Sequence, residues 1–495
     1  MPTNSPNLKV SRLVPLASLA AFSLAAPIAL GVEPQAASTP AANAESADAG
    51  SKPAMPSPEV IAAWTSAGGR FSSTGDVPLF FFLSVSSEKL DSLPPPQVPF
   101  GLRLVGWPDA GLKEIAGLTQ LQSLILENSR ATNAGLKSLA NLRQLKFLKI
   151  ESSGLTDEGI NELAALTQLQ SLDLTDVRIT DRGMKVVAGL SRLNSLNIAH
   201  TRAWMPVGHP LRIVSPVTDN GLKEMAALSQ LNSLNLSGCE NVTDEGMKAL
   251  TGLIGLQWLD LSRTRVADEG LKELAGLKEL QWLNLANTQV SDQGMKEIAK
   301  LKELQWLNLA YTKVTDQGIK ELAGLVRLQS LNLSGRVAVR DGQRMVKSPG
   351  RLNVTDNGVK ELATLEQLQS LSLAGTQVTG KGINELAGLV QLESLNLSGT
   401  NMSDRGLKGL AKFSQLQTLN LDWTEVTDEG MKDLAGLTRL RSLGVSKTRL
   451  TDWGLRELSQ LPQLVKVNCS GTAVTRNGAQ RLRTRSPPVQ VLGAR

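Results

Sequence analysis

The stretch LKELQWLNLANTQVSDQGMKEIAKLKELQWLNLAYTKVTDQG, residues 277–318, contains nearly the same pattern twice. Its two LxxLxL motifs begin at Leu280 and Leu304. The same motif begins at residues 121, 145, 169, 193, 231, 256, 280, 304, 328, 368, 392, 416, 440 and 464. Ten of the thirteen spacings are 24 residues, and the others are 38, 25 and 40. A period this constant indicates one repeat array rather than several unrelated domains.

Each unit changes its hydrophobic period halfway along. The segment LQSLNLSG, residues 328–335, alternates apolar and polar residues, which predicts a strand with one buried face. The segment VTDEGMKALTGL, residues 242–253, has apolar residues at helical spacing, and Thr243 can cap that helix. Glycine recurs at one position in all fourteen units, from Gly135 to Gly478. A residue without a side chain there predicts a tight backbone approach where the chain turns into the helix.

The repeated pattern LxxLxLxxTxVTDxGLxxLAxL resembles leucine-rich repeats of the 24-residue type with a TDxGL signature. Similar units occur in the repeat arrays of F-box proteins and in secreted bacterial proteins, notably those of planctomycetes. The resemblance implies an α/β fold, a right-handed β/α solenoid of the ribonuclease-inhibitor horseshoe type. It places a parallel sheet on the concave face and short helices on the convex face. It implies little about function, because one fold serves many functions.

The N-terminus has the features of an export signal. Lys9 and Arg12 precede an apolar run of 18 residues, and small residues suited to a signal peptidase follow. This pattern predicts a signal peptide at residues 1–31, with an uncleaved membrane anchor as the alternative. Residues 32–58 are rich in Ala, Pro and Ser without apolar periodicity, which predicts a disordered linker.

The array begins with one atypical unit, which the fourteen regular units follow. A helix-plus-strand pattern before it predicts an N-terminal cap, because a terminal repeat would otherwise expose its core edge. The predicted segments are the cap at 59–96, the repeat solenoid at 97–487 with insertions at 203–216 and about 338–353, and a C-terminal tail at 488–495.

Three tryptophans recur at one strand position in consecutive units, although aromatic residues make up only 3% of the chain. Strand alternation directs them and the polar residue two positions later out of the concave face. Serine holds this position in most other units, so the fold does not require tryptophan there. The alternative is repeat duplication, with the rings merely shielding the sheet. The candidate binding residues are Trp258, Trp282, Trp306, Asp260, Asn284, Asn308, Arg263 and Tyr311.

Few residues suggest catalytic chemistry. The two histidines, His200 and His209, have no Cys, Asp or Glu between them, whereas a metal site needs three or four convergent ligands. The chain has no nucleotide-binding glycine motif and nothing that marks a catalytic triad. No catalytic residue, metal site or cofactor is therefore predicted. The net charge of +6 is modest for 495 residues and does not argue for specific nucleic-acid binding.

These features together predict a non-enzymatic, exported protein, periplasmic, in the cell envelope or secreted, and monomeric. Its partner is expected to be a protein that binds the concave face around the three tryptophans, because tryptophan is enriched at binding hot spots. The alternatives are a module that binds glycan or another envelope polymer, a scaffold without a specific partner, and an intracellular ubiquitin-ligase-type adaptor. Contact with a membrane is expected only through an uncleaved N-terminal segment.

Overall fold

The computed structural model describes residues 53–73, 75–83, 89–151, 154–200, 216–335, 340–341, 344–345 and 353–494. The predicted signal peptide at 1–31 lies outside these residues, as does most of the predicted linker. Most of both predicted insertions, 203–216 and about 338–353, also lies outside them.

The strands follow one another along the chain in the order of the repeats. Their bounds are β1 (Arg70–Ser72), β2 (Leu79–Phe82), β3 (Phe100–Val105), β4 (Leu121–Glu127), β5 (Phe147–Ile150), β6 (Ser171–Asp173), β7 (Ser195–Asn197), β8 (Ser233–Asn235), β9 (Trp258–Asp260), β10 (Trp282–Asn284), β11 (Trp306–Asn308), β12 (Ser330–Asn332), β13 (Arg340–Asp341), β14 (Arg344–Met345), β15 (Ser370–Ser372), β16 (Ser394–Asn396), β17 (Thr418–Asn420), β18 (Ser442–Gly444), β19 (Lys466–Asn468) and β20 (Gln490–Leu492).

In the described part of the chain, all strands except β13 and β14 form one open sheet of 18 strands. β1 is antiparallel to β2, and from β2 onward each sheet strand pairs in parallel with the next one along the chain. β12 therefore pairs directly with β15, across the second insertion. β20 extends the sheet into residues 488–495, which the sequence sets apart as a tail. The predicted α/β solenoid is confirmed.

Short helices connect the strands, and many continue from an α-helical turn into a 3₁₀ turn. The α-helices are α1 (Pro58–Ser66), α2 (Asp109–Glu114), α3 (Asn133–Leu136), α4 (Asp157–Asn161), α5 (Asp181–Ala188), α6 (Asp219–Glu224), α7 (Asp244–Met247), α8 (Asp268–Leu274), α9 (Asp292–Ile298), α10 (Asp316–Ile319), α11 (Asp356–Val359), α12 (Gly380–Glu385), α13 (Asp404–Leu407), α14 (Asp428–Met431), α15 (Asp452–Glu457) and α16 (Arg476–Thr484). The 3₁₀ helices are Leu90–Ser92, Lys137–Asn141, Glu162–Ala165, Met225–Ala227, Lys248–Leu250, Lys320–Gly324, Lys360–Thr364, Leu386–Gly388, Lys408–Lys412, Lys432–Gly436 and Leu458–Gln460.

The core is a stack of leucines that repeats with the strands. Leu283 of β10 lies in register between Leu259 and Leu307, and all three side chains are fully buried. Burying one leucine contributes about 1.5–3 kcal/mol, so the repeated columns supply most of the stabilisation. Aromatic residues close the N-terminal end, where the Trp64 indole packs 4.8 Å from the Phe80 ring. Most of the fully buried aromatic side chains in the described residues lie at this end: Trp64, Phe80, Phe82, Phe100 and Trp107.

An aspartate at the start of most of the repeat helices bonds one repeat to the next. Asp292 Oδ1 accepts hydrogen bonds from the N–H groups of Thr315 (2.7 Å) and Gly318 (3.0 Å) in the following unit. Its Oδ2 accepts one from the Thr315 hydroxyl at 2.6 Å. We call this contact the aspartate bridge. Other pairs whose aspartate accepts the same backbone bond are Asp109 with Thr132, Asp157 with Thr180, Asp181 with Thr218, Asp219 with Thr243, Asp244 with Ala267, Asp268 with Ser291, Asp316 with Thr355, Asp356 with Thr379, Asp404 with Thr427, Asp428 with Thr451 and Asp452 with Thr475.

The recurring glycine makes room for this carboxylate. A Cβ atom placed on Gly318 would lie 2.5 Å from Asp292 Oδ1 and 2.9 Å from Met295 Cγ. The predicted close approach is therefore present, and its partner is the aspartate of the preceding repeat. At one described junction no side chain can act as the acceptor, because Gly380 occupies the aspartate position. There a Cβ atom on Gly406 would lie 2.8 Å from the Cα atom of Gly380.

We expect Asp292→Ala to lower the free energy of unfolding by about 2–4 kcal/mol, because the Thr315 and Gly318 donors lose a charged acceptor. Asp292→Asn should cost clearly less. Asn133 already occupies the same position in its own repeat, accepting from Thr156 N–H at 3.0 Å and donating to Thr156 Oγ1 at 2.9 Å. Urea unfolding followed by circular dichroism measures both variants. Equal losses of unfolding free energy for the two variants would contradict a stabilising role of the aspartate bridge.

Gly318→Ala should destabilise the fold by about 1–3 kcal/mol, because the new methyl group collides with Asp292 Oδ1 in a packed junction. Gly276→Ala is the matched control, since a Cβ atom there meets nothing within 4 Å. The control should be neutral or slightly stabilising. The same urea titrations compare the two variants, and similar midpoints would show that the glycine is not kept for the carboxylate.

Candidate functional site

The three predicted tryptophans lie on neighbouring strands and stack on one another. The Trp258 and Trp282 rings are 4.2 Å apart between centroids and 13° from parallel, and the Trp282 and Trp306 rings are 4.1 Å apart and 6° from parallel. We call these rings the tryptophan stack. Both faces of the Trp282 ring are covered by its neighbours. Only the two outer faces of the stack remain, towards Ser233 on β8 and Ser330 on β12.

The two ends of the tryptophan stack differ in burial. Trp258 is only 8% exposed, whereas Trp282 and Trp306 are half-buried. Three buried polar atoms near the Trp258 end have no hydrogen-bond partner within the described ranges: Trp258 Nε1, Ser233 Oγ and Asn194 Oδ1. Each such atom costs free energy until it finds a partner. The Trp258 end is therefore closed and polar, and the Trp306 end is the accessible one.

The polar residues two positions after each tryptophan, which the sequence predicts as binding residues, close the turns that follow the strands. Oδ1 atoms of Asp260, Asn284 and Asn308 accept the N–H two residues further on, at 2.8, 3.1 and 3.0 Å. Asn284 also donates to Asp260 Oδ2 at 3.1 Å. Burial raises the pKa of Asp260, and the hydrogen bonds of its carboxylate to Ser262 and Asn284 oppose this rise. These side-chain oxygens therefore have a structural role that the sequence pattern did not indicate.

Arg263 and Tyr311 stand just beyond β9 and β11, with φ angles of 56° and 60°. Glycine occupies the equivalent position in some later units, as at Gly375 and Gly399, because it adopts positive φ without cost. A bulky residue in this region is strained, and such strain is concentrated at functional sites. Tyr311 is 44% exposed and Arg263 is also exposed, so both side chains are accessible beside the tryptophan stack.

A second group, which sequence reasoning missed, lies near the C-terminal end of the sheet. Trp423 also has positive φ, and Lys447 Nζ lies 5.6 Å from its ring centroid. Asp422 beside it is 8% exposed and accepts the Ser446 N–H at 2.5 Å. Burial raises the pKa of Asp422 to about 6. The available signal was an aspartate where most units have Ser or Ala, followed by a bulky residue at the position that glycine often holds.

The described ranges contain neither a candidate metal site nor a candidate membrane-spanning helix. These contain no group of three or more His, Cys, Asp or Glu side chains that could hold a metal ion. No helix in this part of the chain is both long and apolar enough to cross a membrane.

Asp422 should make stability pH-dependent. Its folded pKa of about 6 exceeds the ordinary 3.8, so the folded state holds the proton more tightly and loses stability as pH rises through this interval. We expect Asp422→Asn to gain about 1–3 kcal/mol relative to the natural chain between pH 4 and pH 7. Urea unfolding at several pH values measures this. Asp433→Asn, on the outer helical segment of the same unit, is the control. Parallel pH profiles for Asp422→Asn and the natural chain would contradict the assignment.

Comparison with known proteins supports one family. The leucine-rich repeat family model matches residues 165–188, 229–250, 256–275, 391–411 and 415–435. A solved leucine-rich repeat protein from Leptospira interrogans is 24% identical, with a TM-score of 0.54, over 83% of this chain and 95% of that one. An internalin from Listeria monocytogenes, InlF, is 25% identical, with a TM-score of 0.48, over 83% of this chain and 93% of that one.

No curated protein matches the chain. The narrower resemblance to planctomycete and F-box repeat proteins stays a prediction. The matched segments and the open parallel sheet in which they lie show that the chain contains leucine-rich repeats and has their solenoid fold.

Proposed function

We propose that the chain is an exported, non-enzymatic binding protein that recognises a protein partner on the concave face around the tryptophan stack. The observation that carries this proposal is the stack itself. It places large apolar rings on the solvent-facing side of the sheet, where serine holds the equivalent position on β8 and β12. Burying half-exposed indole rings against a partner supplies binding free energy, and tryptophan is enriched at interface hot spots.

Export rests on the N-terminal pattern alone, a basic segment followed by an apolar run within residues 1–31. Sequencing the N-terminus of the cellular protein tests it. A mature chain that begins near residue 32 supports export, and an intact Met1 favours the anchored or intracellular alternatives.

Glycan binding is the weaker alternative for this site. Sugar rings use the faces of aromatic side chains, and the middle ring of the tryptophan stack has neither face free. The Asn284 and Asn308 side-chain oxygens already accept backbone N–H groups, which reduces what they can offer to hydroxyl groups. A protein partner, by contrast, can pack apolar side chains along the exposed edges of the rings.

Replacing Trp258, Trp282 and Trp306 together by serine should leave the protein folded. The loss of unfolding free energy is about 0.5–1.5 kcal/mol for each of the two stacking contacts, added to the lost burial of Trp258, because none of the rings belongs to the leucine core. Binding should weaken by more than about 2 kcal/mol, roughly thirtyfold. The partner is obtained by affinity capture from envelope extracts with the full chain, and its Kd is then measured by calorimetry.

Trp453→Ser is the matched control, because Trp453 is exposed on the outer helix α15 and distant in sequence from the stack. It should leave the Kd unchanged. If the triple variant folds and binds the captured partner as tightly as the natural chain, the stack is a by-product of repeat duplication. If the triple variant unfolds, the rings are structural.

A further inference from the structure

We propose that the partner segment at the Trp306 end is acidic and carries an aromatic side chain. The aromatic ring continues the tryptophan stack over Ser330, and neighbouring Asp or Glu side chains pair with Arg263, Arg265 and Lys313. This inference rests on the proposed function and adds the chemistry of the partner.

The open face of Trp306 is the first observation. Ser330, Ser370 and Ser394 follow it in register on the next three sheet strands, and all three are small and half-buried. Beyond Trp306, the neighbouring strands therefore carry only small serine side chains, which leave the outer face of its ring uncovered. A flat ring placed over these serines would contact that face at the spacing of about 4 Å already present within the stack. Trp258 offers no such access, because it is buried.

The charge at the adjacent edge of the sheet is the second observation. Two rows of side chains follow the strands of the three tryptophan units, and every member is exposed. They are Arg263, Asn287 and Tyr311 in one row, and Arg265, Gln289 and Lys313 in the other. The rows carry three positive charges and no acidic residue. None of the three cations forms an ion pair with a carboxylate in the part of the chain that the structure describes. A basic edge without internal compensation fits an acidic partner.

The dimensions fit a short extended segment. Arg265 and Lys313 are two repeats apart, which is about 10 Å at the strand spacing of a sheet. An extended chain covers that distance with three or four residues, at about 3.3 Å per residue. Tyr311 lies between Trp306 and Lys313 along the chain and is exposed, so it can pack against the same segment. Strain at its φ of 60° is then balanced by a contact that glycine could not make.

A protein segment fits better than a single-stranded nucleic acid. Proteins that bind single strands stack successive bases on separate aromatic platforms. Here the three rings stack on one another, so that only the outer face of Trp306 remains accessible to a ligand. One face accommodates one ring, which matches a single aromatic residue among acidic neighbours.

The test selects peptides from a random displayed library against the full chain. Enriched sequences should place Trp, Tyr or Phe within a few positions of several Asp or Glu residues. One enriched peptide is then synthesised, and its Kd is measured by fluorescence anisotropy. Trp306→Ser should weaken binding about tenfold or more, and the double variant R263E/K313E should do the same. Added salt should weaken binding to the natural chain and have less effect on the charge-reversed one.

Trp453→Ser and Lys320→Glu are the matched controls, because both residues are exposed on outer helical segments. They should leave the Kd unchanged. Enriched peptides without acidic residues, or without an aromatic residue, overturn the inference, as does tighter binding of an oligothymidine strand to the same site. If peptides of a different composition are enriched and their binding is weakened by Trp282→Ser, the inference fails but the proposed function stands. Binding that ignores every tryptophan of the stack, or selection of no peptide at all, contradicts both.

Discussion

The hydrogen bond between an aspartate and the following repeat is the contact on which the architecture depends. A 24-residue unit cannot bury its hydrophobic face alone, so its stability comes from its junctions with neighbours. The leucine columns supply most of the free energy at each junction, but they are tolerant of small shifts. The aspartate bridge is directional. By joining Asp292 to Thr315 and Gly318, it fixes how far each helix lies from the next and therefore keeps the strands in register.

Much of the fold could be predicted because its signal is local. Alternation in LQWLNL determines which side of β10 and β11 faces the core, and the constant period alone is enough to place Trp282 opposite Trp306. The bridge could not be predicted in the same way. Its donor and acceptor lie 23 residues apart, and a TDxG motif read alone suggests only helix capping. Thr315 does cap its helix, but the carboxylate of Asp316 acts on the following repeat.

The position of the candidate site could be predicted, but its geometry could not. Register placed the three indoles together, yet it could not tell stacked rings from rings laid flat on the sheet, because side-chain torsions decide that. The consequence for recognition is large, since stacking leaves edges and one accessible face instead of three platforms. The turn-closing role of Asn284 was hidden for a related reason, because it depends on a backbone bend after the strand. Asp422 and Trp423 were missed because they occur in one unit, and reasoning from repeats favours what recurs.

The junction between Gly380 and Gly406 has a consequence for cooperativity. In a linear array, unfolding that begins at one end spreads to the next unit only when the interface between the two units couples them strongly. The strength of this coupling therefore determines how far unfolding spreads. Two facing glycines leave this junction without a carboxylate, so its coupling relies on the leucine columns, the sheet and turn contacts such as the bond from Asn401 N–H to the Val378 carbonyl. We therefore expect unfolding to pause at this junction, between a longer N-terminal block and a shorter C-terminal block. A repeat array can in this way hold a boundary between folding units without any linker or change of fold.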